Sequence, residues 1–435
     1  MITLLHLSDI HMGSGFVHGR LNPETGLNTR LEDFIAALTR CIDRALAESV
    51  DLVLFGGDAF PDATPPPLVQ QALASQFCRL SAAGIPTVLL VGNHDQHAQG
   101  LGGASLSIYR TLGVPDVLVG DRLETYLINT RSGPVQVVTL PWLTRSTLLT
   151  RPETEGLSMA QVNDLLLDRL RVALEGEIRR LNPDIPTILL AHAMIDTATY
   201  GAERFLSAGR GFTIPMAMLA RPCFDYVALG HVHRYQVLCE QPLMIYPGSI
   251  ERVDFSEEAE AKGYLLVQVS RGQTQAEFCP LPVRPFKTIQ VDLTEADDPQ
   301  AGLENAIAQA DLAEAVVRCL YTLRPDQVDQ IDQAALETAL TEAHSYTLQP
   351  ELKALTNRSR LPELGTDSTL DPLTALGAYL ANRPDLSDIA EGMIAAATAL
   401  LADETDDLPL DDADLALDDV DSLALEETAQ QLRLL

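Results

Sequence analysis

The stretch Ile2-Thr3-Leu4-Leu5-His6-Leu7-Ser8-Asp9-Ile10-His11 opens the chain with a near-continuous apolar run that stops abruptly at a carboxylate and an imidazole two residues apart. Apolar runs of this length mark strands buried on both faces. The same arrangement recurs at residues 51–55, 87–91, 135–140, 187–191, 226–229, 243–246 and 264–269. Between these runs, residues 31–47 carry apolar side chains at helical spacing, and 160–181 read as a long amphipathic helix stopped by Asn182-Pro183. Strands buried on both faces need helices on each side of the sheet, so the predicted fold class is α/β, a sandwich.

Working outward from Asp9, the ends of the later runs present metal-ligand residue types one after another. Gly56-Gly57-Asp58, Gly92-Asn93-His94-Asp95, Ala191-His192 and Gly230-His231-Val232-His233 each follow an apolar run directly. In an open parallel sheet the carboxyl ends of the strands meet at one crevice, so these distant residues are expected in one pocket. The glycines before Asp58, Asn93 and His231 let the chain turn sharply and approach the site closely. Singly each piece is weak, since a lone strand-end histidine is more often a hydrogen-bonded structural residue. The ordered set of five carries the reading.

The chain has 435 residues and a formal net charge of −31, the wrong sign for a protein held on nucleic acid by its overall field. Residues 363–435 hold 18 acids and 2 bases, about half of that charge. The six cysteines are scattered with no C-x-x-C pair, which predicts reduced, mostly buried thiols. With no basic leader and no apolar run of the ~20 residues that span a bilayer, a soluble cytoplasmic protein without a membrane partner is expected. The absence of G-x-x-x-x-G-K-[ST] excludes ATP hydrolysis by a P-loop.

The predicted organisation is a catalytic domain over 1–284 and a smaller αβ cap over 285–352, after the Pro280–Pro285 punctuation. A linker over 353–369, a helical partner-binding segment over 370–405 and an acidic tail over 406–435 complete the chain. From 403 to 427 there are twelve acids and no base, a composition that stays solvated or folds only against something else.

The five motifs resemble the calcineurin-like metallophosphoesterases, whose signature is D-x-H, G-D, G-N-H-[DE], a lone His and G-H-x-H on a two-sheet sandwich. Within that superfamily the sequence resembles the SbcD-like DNA-repair nucleases, through Gly26-Leu27-Asn28-Thr29-Arg30 and Tyr246-Pro247-Gly248-Ser249-Ile250-Glu251-Arg252-Val253-Asp254-Phe255. The likeness is close over roughly the first 285 residues, one of pattern in the cap, and weak in the tail. It implies that Asp9, His11, Asp58 and His233 hold one divalent metal ion and Asp58, Asn93, His192 and His231 the other, with Asp58 as the bridge. A carboxylate shared by two ions holds them about 3.5–4 Å apart, where both the attacking and leaving oxygens can be gripped. Imidazole-rich ligands argue against Mg²⁺. Mn²⁺ is the expected ion from the resemblance, while ligand type alone leaves Zn²⁺ and Fe open. His94 is expected to be catalytic, meeting the scissile phosphate or protonating the departing oxygen. Asp95 either orients His94 or caps the turn. Three residues after Asp58, where some relatives carry a His or an Asp, stands Pro61, with Asp62 one further.

The resemblance further implies a 3′–5′ exonuclease on duplex ends and an endonuclease on single strands or hairpins, working in repair and recombination. It would be a homodimer within a heterotetramer with an SbcC-like coiled-coil ATPase, docked through the helices at 373–401. Two things would offset the acidity toward DNA: the charge of two metal ions together with the arginines Arg20, Arg30, Arg145, Arg234 and Arg252 near the motifs, and the ATPase partner, which would supply much of the DNA-binding surface. The same metal chemistry also fits a phosphodiesterase or phosphatase for small nucleotides or phosphoproteins, and a non-enzymatic scaffold is the third alternative.

Overall fold

The computed structural model describes residues 1–97, 103–144, 154–201, 212–353, 372–381, 383 and 386–403. The chain divides into two compact units, Met1–Leu352 and Lys353–Leu435.

Two six-stranded sheets organise the first unit. One is built from β1 (Ile2–Leu7), β2 (Leu52–Phe55), β3 (Thr87–Leu90) and β4 (Val117–Gly120). The other uses β5 (Glu124–Thr130), β6 (Gly133–Leu140), β7 (Thr187–His192), β10 (Tyr226–Gly230), β11 (Gln236–Glu240) and β12 (Leu243–Tyr246). A short pair, β8 (Met194–Ile195) and β9 (Thr213–Ile214), stands apart, and β13 (Gly263–Ser270) with β14 (Gln273–Pro280) returns to the first sheet. The orders are β14-β13-β1-β2-β3-β4 and β11-β12-β10-β7-β6-β5. The first sheet is parallel from β1 to β4 and antiparallel at its β13-β14 side, whereas the second is parallel at its centre with an antiparallel strand at each edge.

Both faces of the central strands are apolar because consecutive residues serve different layers. Leu4, Leu54, Val88, Leu90, Val137, Ile188, Leu190 and Ala228 meet between the sheets. Leu5, Leu7, Val53, Phe55 and Leu89 face the opposite way, onto the helices Thr29–Ala47 and Pro67–Ala82. Val138, Leu189, Ala191, Val227 and Leu229 pack on Leu166, Leu170 and Leu174 of the helix Met159–Ile178. This three-layered burial is why the strand runs lack alternation, and it bears out the two-sheet sandwich flanked by helices. Asn28 caps the helix Thr29–Ala47 by accepting from Arg30 N, and Ser158 closes a capping box with Gln161 on the helix Met159–Ile178.

The remaining part of this unit is a parallel three-stranded sheet, β15 (Phe286–Asp292), β16 (Val316–Leu323) and β17 (Ser345–Leu352), with its own apolar core and the helices Pro299–Ala308 and Gln333–Ala339. Its elements alternate strand, helix, strand, helix, strand along the chain. In the second unit, helices occupy Pro372–Ala381 and Ser387–Asp403. The expected linker from 354 onward and the acidic tail over 406–435 lie outside the described residues. Among the described residues no helix is long and apolar enough to cross a membrane.

Candidate metal centre

Strand register brings the motifs together. Leu7 pairs with Phe55 at the ends of β1 and β2, and His192 pairs with Gly230 at the ends of β7 and β10. Beyond the strands, the D-x-H loop is sewn to the G-D loop: Asp9 N donates to Gly57 O at 3.0 Å, His11 N to Asp58 O at 3.0 Å and Met12 N to Ala59 O at 2.9 Å. Asp95 ties in the third loop, because its carboxylate accepts from Asp58 N (2.9 Å), Ala59 N (3.0 Å) and Gly92 N (2.9 Å). Of the two roles left open for Asp95, this geometry is that of a backbone clamp, and His94 takes its orientation elsewhere. Burial, followed by the neighbouring Asp58 carboxylate, pushes the Asp95 carboxyl up to about 6 against those N–H donors.

The local backbone is bent to make these approaches. Asp9, His11, Asp58 and His231 all have positive φ, at 52°, 46°, 58° and 106°. For non-glycine residues such conformations cost on the order of 1–3 kcal/mol each and persist where surrounding structure imposes them. Gly57 (φ 101°) is required by space as well as by φ, since a Cβ there would stand 2.5 Å from His192 Nδ1. At Gly92 a Cβ would land on the Asp58 carboxylate.

All eight residues expected at the site gather. Around one position stand Asp9, His11 and His233, and around the other Asp58, His192 and His231. Asp58 Oδ2 lies 3.7 Å from His11 Nε2 and 3.3 Å from His192 Nε2, so one oxygen faces both clusters while Oδ1 accepts from His94 N at 2.9 Å. Asn93 Oδ1 sits 3.0 Å from His192 Nε2 and 2.9 Å from His231 Nδ1. His233 Nε2 is 3.0 Å from His11 Nε2.

Donor chemistry shows that this set suits cations. His192 Nδ1 donates to Gly56 O at 2.7 Å, which turns Nε2 toward two oxygen acceptors, an arrangement that needs a proton or a cation between them. His233 Nδ1 donates to Glu257 Oε1 at 2.6 Å, leaving its Nε2 lone pair toward His11. Burial, and then neighbouring imidazoles, hold His11 and His231 well below the usual histidine range, so both rings are neutral and could offer a lone pair to a cation. Burial opposes charge on Asp58, yet His192, His94 and His11 hold its carboxyl well below the usual carboxylate range. Burial raises the Asp9 carboxyl. At His192 burial is outweighed by Asp58, Asp9 and the Gly56 carbonyl, which push the imidazole up to about 9: the pocket draws in positive charge. Electron pairs converging in a buried space repel unless a cation lies among them.

Sequence reasoning missed Glu257. It lies on a short 3₁₀ turn, Phe255–Glu257, 24 residues beyond His233, and is buried. Its Oε2 takes Lys262 Nζ at 2.8 Å and Val253 N at 3.0 Å. Burial disfavours its charge, but His233 and Lys262 bring the carboxyl down to about 2. The result is a carboxylate–histidine pair that fixes the His233 tautomer and raises its basicity.

His94 is oriented by the residue that breaks the expected pattern: its Nδ1 donates to the Pro61 carbonyl at 2.7 Å. Asp62 instead closes a local turn, accepting from Thr64 N at 2.7 Å. Two arginines expected to grip phosphate are internal braces. Arg30 is fully buried, with Nη1 2.7 Å from Asp33 and 3.6 Å from Glu251 and Nη2 donating to Arg252 O. Arg252 donates to the carbonyls of Glu257, Arg284 and Glu260. Arg20 and Arg234 are exposed, and Arg145 lies outside the described residues.

The family profile described as calcineurin-like phosphoesterase matches residues 2–235, more than half of the chain. The chain belongs to the calcineurin-like phosphoesterase family. Members use divalent metals, in keeping with the clustered His and Asp groups. Among known sequences it is similar to the uncharacterized metallophosphoesterase YhaO of Bacillus subtilis (strain 168), 28% identical over 415 residues and covering 90% of each chain. Among solved structures it is similar to TT1561 of Thermus thermophilus (15% identity, 64% of this chain and 98% of that one, TM-score 0.36). A dimetal phosphatase from Danio rerio also matches (12% identity, 64% and 95%, TM-score 0.37).

Proposed function

We propose that this metallophosphoesterase is a DNA nuclease of the SbcD-like kind, hydrolysing phosphodiester bonds with two Mn²⁺ ions. Asp58 would be shared between a first position held by Asp9, His11 and His233 and a second held by Asn93, His192 and His231. The observation that carries the hydrolytic reading is the single Asp58 oxygen facing both histidine clusters, with His94 beside it. When bound, the pair of ions supplies the Lewis acidity that activates water and neutralises the phosphate.

The protein's own part is orientation. Pro61 O fixes the proton on His94 Nδ1 and leaves Nε2 to meet a phosphate oxygen or the leaving group. Glu257 and Gly56 O hold His233 and His192 in the tautomers that turn lone pairs inward. Asp95 keeps the G-D and G-N-H-D loops in register.

Support for the nuclease, over other phosphoesterases, comes from the two stretches that carry the SbcD-like resemblance. They form one brace, in which Arg30 of the first joins Glu251 and Arg252 of the second. The proposal includes a cytoplasmic homodimer within a heterotetramer with an SbcC-like coiled-coil ATPase, acting at DNA ends and hairpins.

The test is hydrolysis of labelled duplex and hairpin DNA by the purified chain with Mn²⁺, with and without such an ATPase, beside cyclic nucleotides and a phosphomonoester. DNA cleavage that chelation and Asp58→Ala both abolish is the expected result. Turnover of the small substrates with DNA left intact would replace the nuclease with the small-molecule phosphodiesterase or phosphatase.

A further inference from the structure

A histidine that ligates a metal normally gives its remote N–H to a carboxylate or carbonyl, which sets the ring and strengthens the ligand. His192 and His233 follow this rule through Gly56 O and Glu257. His231 does not. Its Nδ1 faces Asn93 Oδ1, while its Nε2 is buried and meets no hydrogen-bond partner among the described residues. Its backbone is also strained, at φ 106°.

What meets this ring is an indole. The Trp142 ring centroid lies 4.8 Å from that of His231 with the planes 31° apart, and 6.0 Å from that of His192, edge-on at 75°. Trp142 is itself locked on both sides of its Cα. Its backbone N–H donates to Val91 O at 3.0 Å, and its backbone carbonyl accepts from Gln96 Nε2 at 2.9 Å. Both partners flank the G-N-H-D loop that supplies Asn93. Buried to 5% exposure, the indole cannot swing away without opening the core.

We propose that Trp142 is a positioning residue for the metal position of Asn93, His192 and His231, holding the His231 ring by packing where its neighbours use a hydrogen bond. The inference rests on reading the site as a two-metal centre. It assigns Trp142 to one position only, since no ring contact links it to His11 or His233 among the described residues.

Trp142 is the single tryptophan of the sequence, so the wild-type chain carries its own probe. The experiment titrates Mn²⁺ into the metal-stripped full-length protein, following tryptophan emission and counting bound Mn²⁺ by equilibrium dialysis. The same counts are made for Trp142→Leu, Trp142→Phe and Gln96→Leu. Emission should change with the filling of one of two positions. Trp142→Leu should weaken that position by about 10- to 100-fold while the other keeps its affinity, which also shows that the variant is folded. Trp142→Phe should recover most of the loss, and Gln96→Leu should show part of it.

Two Mn²⁺ bound by Trp142→Leu with wild-type affinities would overturn the proposal, as would loss of both positions in Trp142→Leu and Trp142→Phe alike. Failure of the wild-type chain to take up Mn²⁺ at all would instead remove the two-metal reading, and the role of Trp142 with it.

Discussion

The Glu257 carboxylate serves two buried donors at once, the imidazole of His233 and the ammonium of Lys262. Glu257→Ala therefore has two separable consequences. Lys262 keeps Glu260 at 2.8 Å but loses half of its compensation, which should cost roughly 2 kcal/mol or more. His233 loses the acceptor that fixes its tautomer, and metal affinity should fall about 10- to 100-fold. Adding Lys262→Met removes the uncompensated charge, so the double variant should regain stability in urea unfolding while Mn²⁺ affinity stays low. Recovery of both together would mean that Glu257 acts on the metal only by keeping the fold. His94 makes the contrasting case at this scale. If it is catalytic and not a ligand, His94→Ala should lower kcat by about 10²–10⁴ with the Mn²⁺ content unchanged. A fall in bound metal would move His94 into the ligand set. Arg30 and Arg252 show why residue type and proximity mislead: both lie near motifs, yet their guanidinium groups are spent on Asp33, Glu251 and backbone carbonyls. Nothing in a single sequence separates a buried arginine from an exposed one.

Strands and loops divide into what a sequence displays and what it hides. β1, β2, β3, β7 and β10 are apolar on both faces, so they stand out as runs, and the ligands follow each run because a parallel sheet delivers its chemistry at strand ends. β5, β11 and β14 are edge or near-solvent strands with mixed burial, and they leave no comparable run. Glu257 was illegible for a related reason: its turn reads Phe255-Ser256-Glu257-Glu258, and only burial distinguishes the first glutamate from the second. The glycines of the loops were legible as turn signals, but not the contact each one permits. Gly57 and Gly84 both have positive φ, 101° and 66°, yet a Cβ on Gly84 meets nothing within 4 Å whereas one on Gly57 meets His192. Gly84→Ala should therefore cost about 1 kcal/mol from backbone strain alone. Gly57→Ala should cost roughly 3 kcal/mol or more and also displace His192, abolishing tight Mn²⁺ uptake. Equal losses of stability in the two variants would show that the G-D loop tolerates the crowding.

At the scale of the whole molecule, the two sheets are joined by an apolar layer into which one titratable pair is set. His6 on β1 and Tyr226 on β10 face each other across it, Nδ1 to hydroxyl at 2.8 Å, both fully buried. Burial drives the His6 imidazole down from 6.5 to about 3, only partly offset by the Leu229 carbonyl, so the folded chain keeps it neutral. In the unfolded chain the same ring takes up its proton near 6.5. Between those values the unfolded state binds more protons, and stability rises with pH. The contribution is fully present above the unfolded value and is lost progressively as the pH falls toward the folded one, amounting to about 3 kcal/mol by pH ~4. Other acids titrate in that range, so the comparison must be made within one background. Glutamine at position 6 can still hydrogen-bond Tyr226 and cannot titrate. In urea unfolding of the chelated protein, His6→Gln should have a shallower loss of stability between about pH 7 and pH 4 than the wild type, by about 3 kcal/mol. Coincident pH profiles for the two chains would mean that water reaches His6 and that the sheets do not close over it as a dry layer.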